Sequence, residues 1–87
     1  MKANDTYSSR ELRFSLGIDE HSKFYYVSFP VTIGIADWAE YYKLTDEQYE
    51  QFLADPVAAV PFVNECRRWE HDVLLLVKPG VPRGIGN

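Results

Sequence analysis

The sequence has little cysteine, no long apolar run and almost no positive charge in its middle segment. A single cysteine, Cys66, excludes an intramolecular disulfide framework and a cysteine-rich metal site, and it suits a reducing compartment. The longest uninterrupted apolar run, at 73–77, is far too short to span a membrane. The first twenty residues have no continuous apolar core of the kind that signal peptides carry. We therefore expect a cytoplasmic protein that has no membrane partner.

The size and composition of the chain predict one folded domain. With 87 residues there is room for a single domain, 1–87, and not for a catalytic domain with a regulatory one. A hydrophobic fraction of 46% and an aromatic fraction of 15% are too high for a disordered chain. We expect residues 1–9, which are polar, and residues 80–87, which follow a Pro-Gly turn, to be loose termini.

The charge is unevenly distributed along the chain. Residues 37–55 carry six acids against one base, Lys43, for a net charge of −5. Residues 1–36 carry four acids and four bases, and residues 56–87 carry three acids and four bases. The acidity is therefore local, and its field repels phosphate and attracts cationic surfaces. We expect no direct nucleic-acid binding.

Two antiparallel strands are predicted before the acidic segment. From Arg10 the side chains alternate, and one face collects the apolar residues Leu12, Phe14, Leu16 and Ile18. A polar connection at 19–23 leads into the ring-rich run FYYVSF, which completes a predicted hairpin. Pro30 cannot donate a backbone hydrogen bond, so we expect a sheet edge or a bulge there, with 31–35 continuing the strand.

The acidic segment itself is predicted to be helical. Asp37 is an N-cap candidate for a short helix over 37–43, because Trp38, Tyr41 and Tyr42 follow at helical spacing. The next helix begins at a capping box formed by Thr45 and Gln48, with a hydrophobic staple between Leu44 and Tyr49. On this second helix the apolar side chains predicted to enter the core are Tyr49, Phe52 and Leu53, and the side chains predicted to face water are Asp46, Glu47 and Glu50.

The last third of the chain is predicted to form one more helix and one more strand. Asp55 and Pro56 can cap and open the third helix, which Pro61 restarts or kinks and which continues through Val63 and Cys66 toward Trp69. The apolar run DVLLLV at 72–77 is typical of a central strand. The sequence thus predicts an α+β fold, in which a small antiparallel sheet (an N-terminal hairpin plus a C-terminal strand) packs against two or three short helices.

No catalytic, cofactor or metal site is predicted. The nearest candidates are Cys66, Glu70, His71 and Asp72. A cysteine nucleophile needs a base within hydrogen-bond reach, and we expect Cys66 and His71 to lie on different elements. Residues 70–72 alternate faces on a strand and cannot chelate one ion together. We interpret Cys66 as a small buried apolar residue and the protein as a non-enzyme.

The acidic segment is the best candidate for a binding surface. Charge runs on helices are usually solvent faces, but a surface built only for solubility mixes the two signs of charge. Tyr41 and Tyr42 are adjacent and cannot both enter the core from one short helix, so at least one phenol is expected at the surface. We predict that a cationic protein partner is bound by seven residues: Asp37, Glu40, Tyr41, Tyr42, Asp46, Glu47 and Glu50.

The run FYYVSFPVTIGIADWAEYYKLTDEQYEQFLADP, followed by HDVLLLVKPG, resembles small immunity proteins of contact-dependent growth inhibition and related polymorphic toxin systems. The resemblance covers residues 10–80 and carries no diagnostic motif, so no binding residue transfers by position. It implies a cytoplasmic inhibitor that binds one cognate toxin domain, commonly an RNase or a DNase, and blocks its active site or substrate access. The alternative is a non-enzymatic interaction module or subunit, joined through the sheet edge near Pro30 or the segment 72–77.

Overall fold

An antiparallel meander forms the centre of the fold in the computed structural model, which describes residues 1–33 and 36–76. Four strands pair in chain order: β1 (Ala3–Ser9), β2 (Phe14–Asp19), β3 (Tyr25–Ile33) and β4 (Ala36–Leu44). They are followed by α1 (Asp46–Ala54), a 3₁₀ turn (Pro56–Ala59), α2 (Val60–Arg67) and a second 3₁₀ turn (Asp72–Leu74). The predicted α+β fold, a small antiparallel sheet against short helices, is confirmed.

The hydrophobic core lies between one face of the sheet and the two helices. Successive side chains of a strand point to opposite faces, so alternate residues of β2, β3 and β4 enter the core. The sheet contributes Phe14, Leu16, Val27, Phe29, Tyr42 and Leu44, and the helical half contributes Tyr49, Phe52, Ala59, Val63 and Cys66. All of these side chains are buried. The outer face of the sheet is covered by no helix of the described residues.

The N-terminal residues form a strand, which corrects the prediction that residues 1–9 are loose. β1 pairs antiparallel with β2 from Ala3–Asp19 to Ser9–Phe14, with an irregularity between Asp5 and Tyr7. The segment is polar, so it carried no apolar alternation from which a strand could be predicted. Its order comes from backbone pairing and from a few contacts, including a Tyr7–Phe14 ring pair with centroids 6.3 Å apart.

The segment 37–43 is a strand, and the predicted short helix is wrong. β4 pairs with β3 over its whole length, from Tyr25–Leu44 to Ile33–Ala36. Aromatic residues pack well on a pleated surface, and an isolated helix of two turns is marginal in water. The long-range pairing therefore outweighs the local helical spacing of the rings.

The segment 72–77 is not the predicted central strand. It begins as a 3₁₀ turn, and Val73 is 95% exposed. An isolated antiparallel bridge, Leu75 to Tyr42, and a hydrogen bond from the Leu76 N–H to the Tyr41 carbonyl (2.9 Å) attach it to β4. Val77 lies outside the described residues, as does the predicted loose tail 80–87.

The predicted hairpin and the two predicted proline positions are found in the structure, with differences in detail. β2 and β3 form the expected hairpin, although residues 10–13 make the preceding turn and not the start of the strand. β2 pairs with β3 as far as Ser28, so within residues 1–33 and 36–76 Pro30 lies where β4 is the one strand beside β3, as an edge requires. Pro61 lies in the first turn of α2, but the Asp55 side chain makes no cap hydrogen bond. Gly34 and Ile35 lie outside the described residues.

Candidate functional site

The start of α1 is fixed by local sequence. The Thr45 hydroxyl accepts a hydrogen bond from the Gln48 backbone N–H at 3.1 Å, and the Gln48 side chain accepts one from the Thr45 N–H at 2.9 Å. This is the predicted capping box, and it satisfies two of the backbone donors that a helix start leaves unpaired. Helix α1 therefore begins at Asp46, directly after β4 ends at Leu44.

The rotation of α1 about its axis is fixed by its aromatic residues. Tyr49 stacks on Tyr25 with ring centroids 4.0 Å apart, and its hydroxyl is 2.6 Å from the Thr6 hydroxyl. Phe52 is 5% exposed and packs against Phe62. Because residues of a helix follow one another at about 100°, burying these two rings turns the opposite side of α1 to solvent.

That solvent side carries three carboxylates, Asp46, Glu47 and Glu50, which we call the α1 acidic surface. All three residues are exposed. They span an arc of about 100° on the helix, centred about 140° from the buried rings. Within residues 1–33 and 36–76 none of them takes part in an ion pair. The three charges are thus held on a fixed element and are neutralised by no described residue.

Helix stability explains only part of this charge. Asp46 and Glu47 lie in the first turn of α1, where the helix dipole favours anions. Glu50 lies beyond the first turn, four residues after Asp46 and three after Glu47, so it faces two like charges. Each such pair disfavours a helix by about 0.2–0.5 kcal/mol. The carboxylate of Glu50 therefore lowers the stability of α1, so the stability of the helix does not account for it.

Two apolar side chains, one on α1 and one just after it, are exposed. Leu53, which the helical pattern placed in the core, is 40% exposed, and Val57 of the following 3₁₀ turn is 64% exposed. Leu53 lies one residue past the buried Phe52, so rotation fixed by the rings leaves it at the boundary of the core. Many protein interfaces have an apolar centre and a polar rim, and Leu53, three residues after Glu50, gives the α1 acidic surface an exposed apolar neighbour. No periodicity in the sequence singled out Val57, which lies in the 3₁₀ turn between the two helices.

Two of the seven predicted site residues are buried, which corrects their assignment to the surface. Glu40 is 3% exposed and Tyr42 is 0% exposed, because both lie on the core face of β4. The Tyr42 hydroxyl lies 3.1 Å from both the Glu40 carboxylate and the Cys66 carbonyl. Burial on a strand face therefore removes Glu40 and Tyr42 from any docking surface.

The other two residues of β4 are separated from the α1 acidic surface. Tyr41 is half-buried on the outer face of the sheet, where it meets the Tyr26 ring edge-on at 5.1 Å. Tyr41 and Tyr42 alternate across the strand, so Tyr42 enters the core and Tyr41 does not, whereas the sequence placed both on a short helix. Asp37 belongs to β4, and its side chain lies outside the part of the chain that is described. The structure thus joins Asp46, Glu47 and Glu50 and leaves Tyr41 on another face.

The structure does not bring Cys66 and His71 together as a nucleophile and its base. Cys66 is fully buried, and burial raises the pKa of its thiol to about 12, so the nucleophilic thiolate is disfavoured. His71 Nε2 lies 2.7 Å from the Glu65 carboxylate, and its ring stacks on Phe62. Across the described ranges no group of three or more His, Cys, Asp and Glu side chains converges as a metal site.

No protein family model matches this chain, and no curated protein or solved structure is significantly similar to it. Among the helices of the described residues, none is long and apolar enough to cross a membrane. The geometry of α1 and of the residues around it is therefore what indicates a function.

Proposed function

We propose that this protein is a cytoplasmic immunity protein that binds and neutralises one cognate toxin domain, a nuclease, through the α1 acidic surface. The observation that carries the proposal is the exposed, unpaired charge of Asp46, Glu47 and Glu50 on a helix whose position is fixed at both its cap and its rings. The resemblance of residues 10–80 to small immunity proteins supports the same reading. The protein acts without a cofactor.

Charge complementarity supplies the recognition. A nuclease must attract phosphate, so its active-site groove is cationic, and a rigid row of carboxylates can occupy the positions that phosphates take. Opposite charge speeds encounter and excludes wrong partners more than it adds affinity. Leu53 and Val57 then provide apolar area that is removed from water in the complex, at about 25 cal/mol per Å². The toxin is blocked because its groove is filled.

The partner can be identified and the surface tested together. The tagged protein is purified from its native host, its bound partner is identified, and the nuclease activity of that partner is titrated with wild-type and variant protein. Glu50→Lys is expected to weaken inhibition by about tenfold or more, because it replaces attraction by repulsion in the interface. Glu11→Lys is the matched control, since it makes the same charge change on the exposed turn between β1 and β2.

Two outcomes would refute the proposal. One is a partner without toxic or nuclease activity, and the other is equal inhibition by wild type and Glu50→Lys. A neighbouring reading frame that encodes a toxin domain is a further expectation, and its absence would favour the alternative below.

The alternative is a non-inhibitory interaction module that joins a larger complex by strand addition. One observation favours it: β3 extends past its pairing with β2, so residues from Phe29 to Ile33 have β4 as their only neighbouring strand within the described residues. An extended segment of a partner could pair with that edge. Pro30 interrupts the available hydrogen bonds, which weighs against this edge as the main interface.

A further inference from the structure

The outer face of the sheet carries a row of hydroxyl groups that crosses all four strands. The strand register pairs Ser8 with Ser15, Ser15 with Ser28, and Ser28 with Tyr41. All four therefore lie side by side on the face that the helices do not cover. The Ser8 and Ser15 hydroxyls bond each other at 2.6 Å.

A groove of about 380 Å³ lies along this row. Its lining includes Ser9, Ser15, Ser28, Ala39 and Tyr41, with Arg10 and Arg13 at one end and Asp5 also present. The groove exists because serine and alanine occupy positions where long side chains would fill the face. Its volume is within the range of small-molecule sites, about 300–1,000 Å³.

The wall of the groove is held in place by Tyr26. The ring is fully buried although it lies on the outer face, because it packs over Gly17, which has no side chain. Its hydroxyl donates a hydrogen bond to the Asp5 carboxylate at 2.5 Å. A Cβ at Gly17 would overlap both the Tyr26 hydroxyl and the Asn4 carbonyl. Burial and the Asp5 carboxylate raise the pKa of Tyr26 well above its usual range, so the phenol stays a hydrogen-bond donor to Asp5. The Asp5 carboxylate, which also lines the groove, therefore already accepts a hydrogen bond from Tyr26.

Ser28 presents its hydroxyl to the groove. The residue is 7% exposed and lines the groove, and its hydroxyl makes no hydrogen bond with another residue of 1–33 and 36–76. Because no buried side-chain polar atom of the described residues lacks a partner, this oxygen is reached by solvent through the groove. A ligand with its own hydroxyl or oxyanion can take the place of that solvent.

The other end of the groove is cationic. Arg10 and Arg13 lie on the turn between β1 and β2, and among the described residues neither forms an ion pair. The turn is well fixed: Arg13 has φ of 61°, its N–H donates to the Ser9 carbonyl at 2.9 Å, and its carbonyl accepts from the Arg67 guanidinium at 2.9 Å. Two unpaired guanidinium groups beside a row of hydroxyls are suited to an oxyanion.

We propose that this groove binds a small hydroxylated anion, a sugar phosphate or a sugar acid. Its oxyanion lies against Arg10 and Arg13, and its hydroxyl groups bond Ser28, Ser15 and Tyr41. The site lies on the outer face of the sheet, whereas α1 packs on the core face, and it does not depend on the toxin-binding proposal. Phosphate and carboxylate share the required chemistry, so the two kinds of compound are compared directly.

The test is a titration of the ¹⁵N-labelled full chain, followed by amide chemical shifts. The probes are ribose 5-phosphate, gluconate, ribose and inorganic phosphate. Saturable shifts are expected for the amides of Ser15, Ser28 and Tyr41 with ribose 5-phosphate, gluconate or both, and ribose alone should give none. A preference for the first compound identifies phosphate as the natural anion, and a preference for the second identifies carboxylate.

Substitutions of Ser28 and Arg10 test whether these two side chains bind the ligand. Ser28→Ala should weaken binding by about threefold to tenfold, the effect of one hydrogen bond, and Arg10→Ala by about tenfold or more. Arg68→Ala, which removes an arginine that already pairs with Glu70, should leave the affinity unchanged. Thermal unfolding shows that each variant is folded, and Arg10→Ala, at an exposed position, keeps the test valid if Ser28→Ala unfolds.

The proposal is overturned by an absence of saturable shifts with either anionic sugar. It is also overturned if inorganic phosphate binds as tightly as ribose 5-phosphate and Ser28→Ala has no effect, because this is the behaviour of an exposed arginine pair without a site.

Discussion

Single residues decide which part of the acidic segment can bind a partner. Glu40 and Glu50 are both acidic and ten positions apart, yet one is enclosed in the core and the other faces water. The difference comes from the element that carries each: every second residue of a strand is turned inward, whereas a helix buries one stripe. Composition alone identified the segment, and only the fold could separate its buried members from its exposed ones.

Glu50 offers a prediction in which stability and binding change in opposite directions. Glu50→Gln removes repulsion from Asp46 and Glu47, so the free energy of unfolding should stay equal or rise by about 0.2–1 kcal/mol. Binding of the co-purified partner should weaken. Urea denaturation and calorimetric titration measure the two quantities, with Glu11→Gln as the control. A loss of stability with unchanged affinity would show that Glu50 serves only the fold.

Cys66 offers a prediction about reactivity. Its thiol is buried and its pKa is raised to about 12, chiefly by burial, so the native protein should react with a disulfide reagent at pH 8 only through unfolding. Because the folded pKa exceeds the ordinary value of 9.0, this group also makes the fold less stable as pH rises from 9 toward 12. Rapid labelling without denaturant would contradict the assignment of Cys66 to the core.

At the scale of elements, local signals predicted α1 and failed for β4. The Thr45 capping box is complete within four residues, so the sequence specified it without reference to the rest of the chain. In β4 the choice between helix and strand depends on pairing with β3, which is a long-range interaction. The strand prediction for 72–77 failed although the local apolar pattern favoured it, because within the described residues the segment forms an isolated bridge to β4 in place of a ladder.

The cap of α1 can be tested by substitution. Thr45→Ala leaves the Gln48 N–H without its side-chain acceptor, and it should lower the free energy of unfolding by about 1 kcal/mol. Thr45→Ser keeps the hydroxyl and should cost much less. Chemical denaturation of the two variants gives the comparison, and equal losses would mean that the hydroxyl does not cap the helix.

The turn between β2 and β3 depends on one carboxylate. Asp19 accepts hydrogen bonds from the Ser22 hydroxyl at 2.7 Å, the Lys2 N–H at 3.0 Å and the His21 N–H at 3.1 Å. These bonds hold the pKa of Asp19 well below its usual value. A lowered folded pKa stabilises the protein above the unfolded pKa of 3.8, and this stability is lost as pH falls below it.

Asp19→Asn tests that dependence. The variant should be less stable than wild type at pH 7 and should lose less stability than wild type between pH 7 and pH 3. Urea denaturation at the two pH values measures both effects. An identical loss in the two proteins would assign the acid sensitivity to other carboxylates.

The two proposed sites lie on opposite faces of the sheet. The helices cover one side of the sheet and present the α1 acidic surface, while the opposite side holds a groove with arginines at the β1–β2 turn. The sequence predicted the fold class, the cap and the local acidity. It could not predict the groove, since Ser15, Ser28 and Tyr41 are brought together only by strand register.

The most direct test of the central claim is the affinity for the co-purified partner at low and high salt, measured for wild type and for Glu47→Lys/Glu50→Lys. If the α1 acidic surface is the docking site, wild-type binding weakens as salt is added, and the double variant binds about 100-fold more weakly at low salt. The variant should also lose most of the salt dependence while unfolding like the wild type. Equal affinity of the two proteins at both salt concentrations would contradict the account.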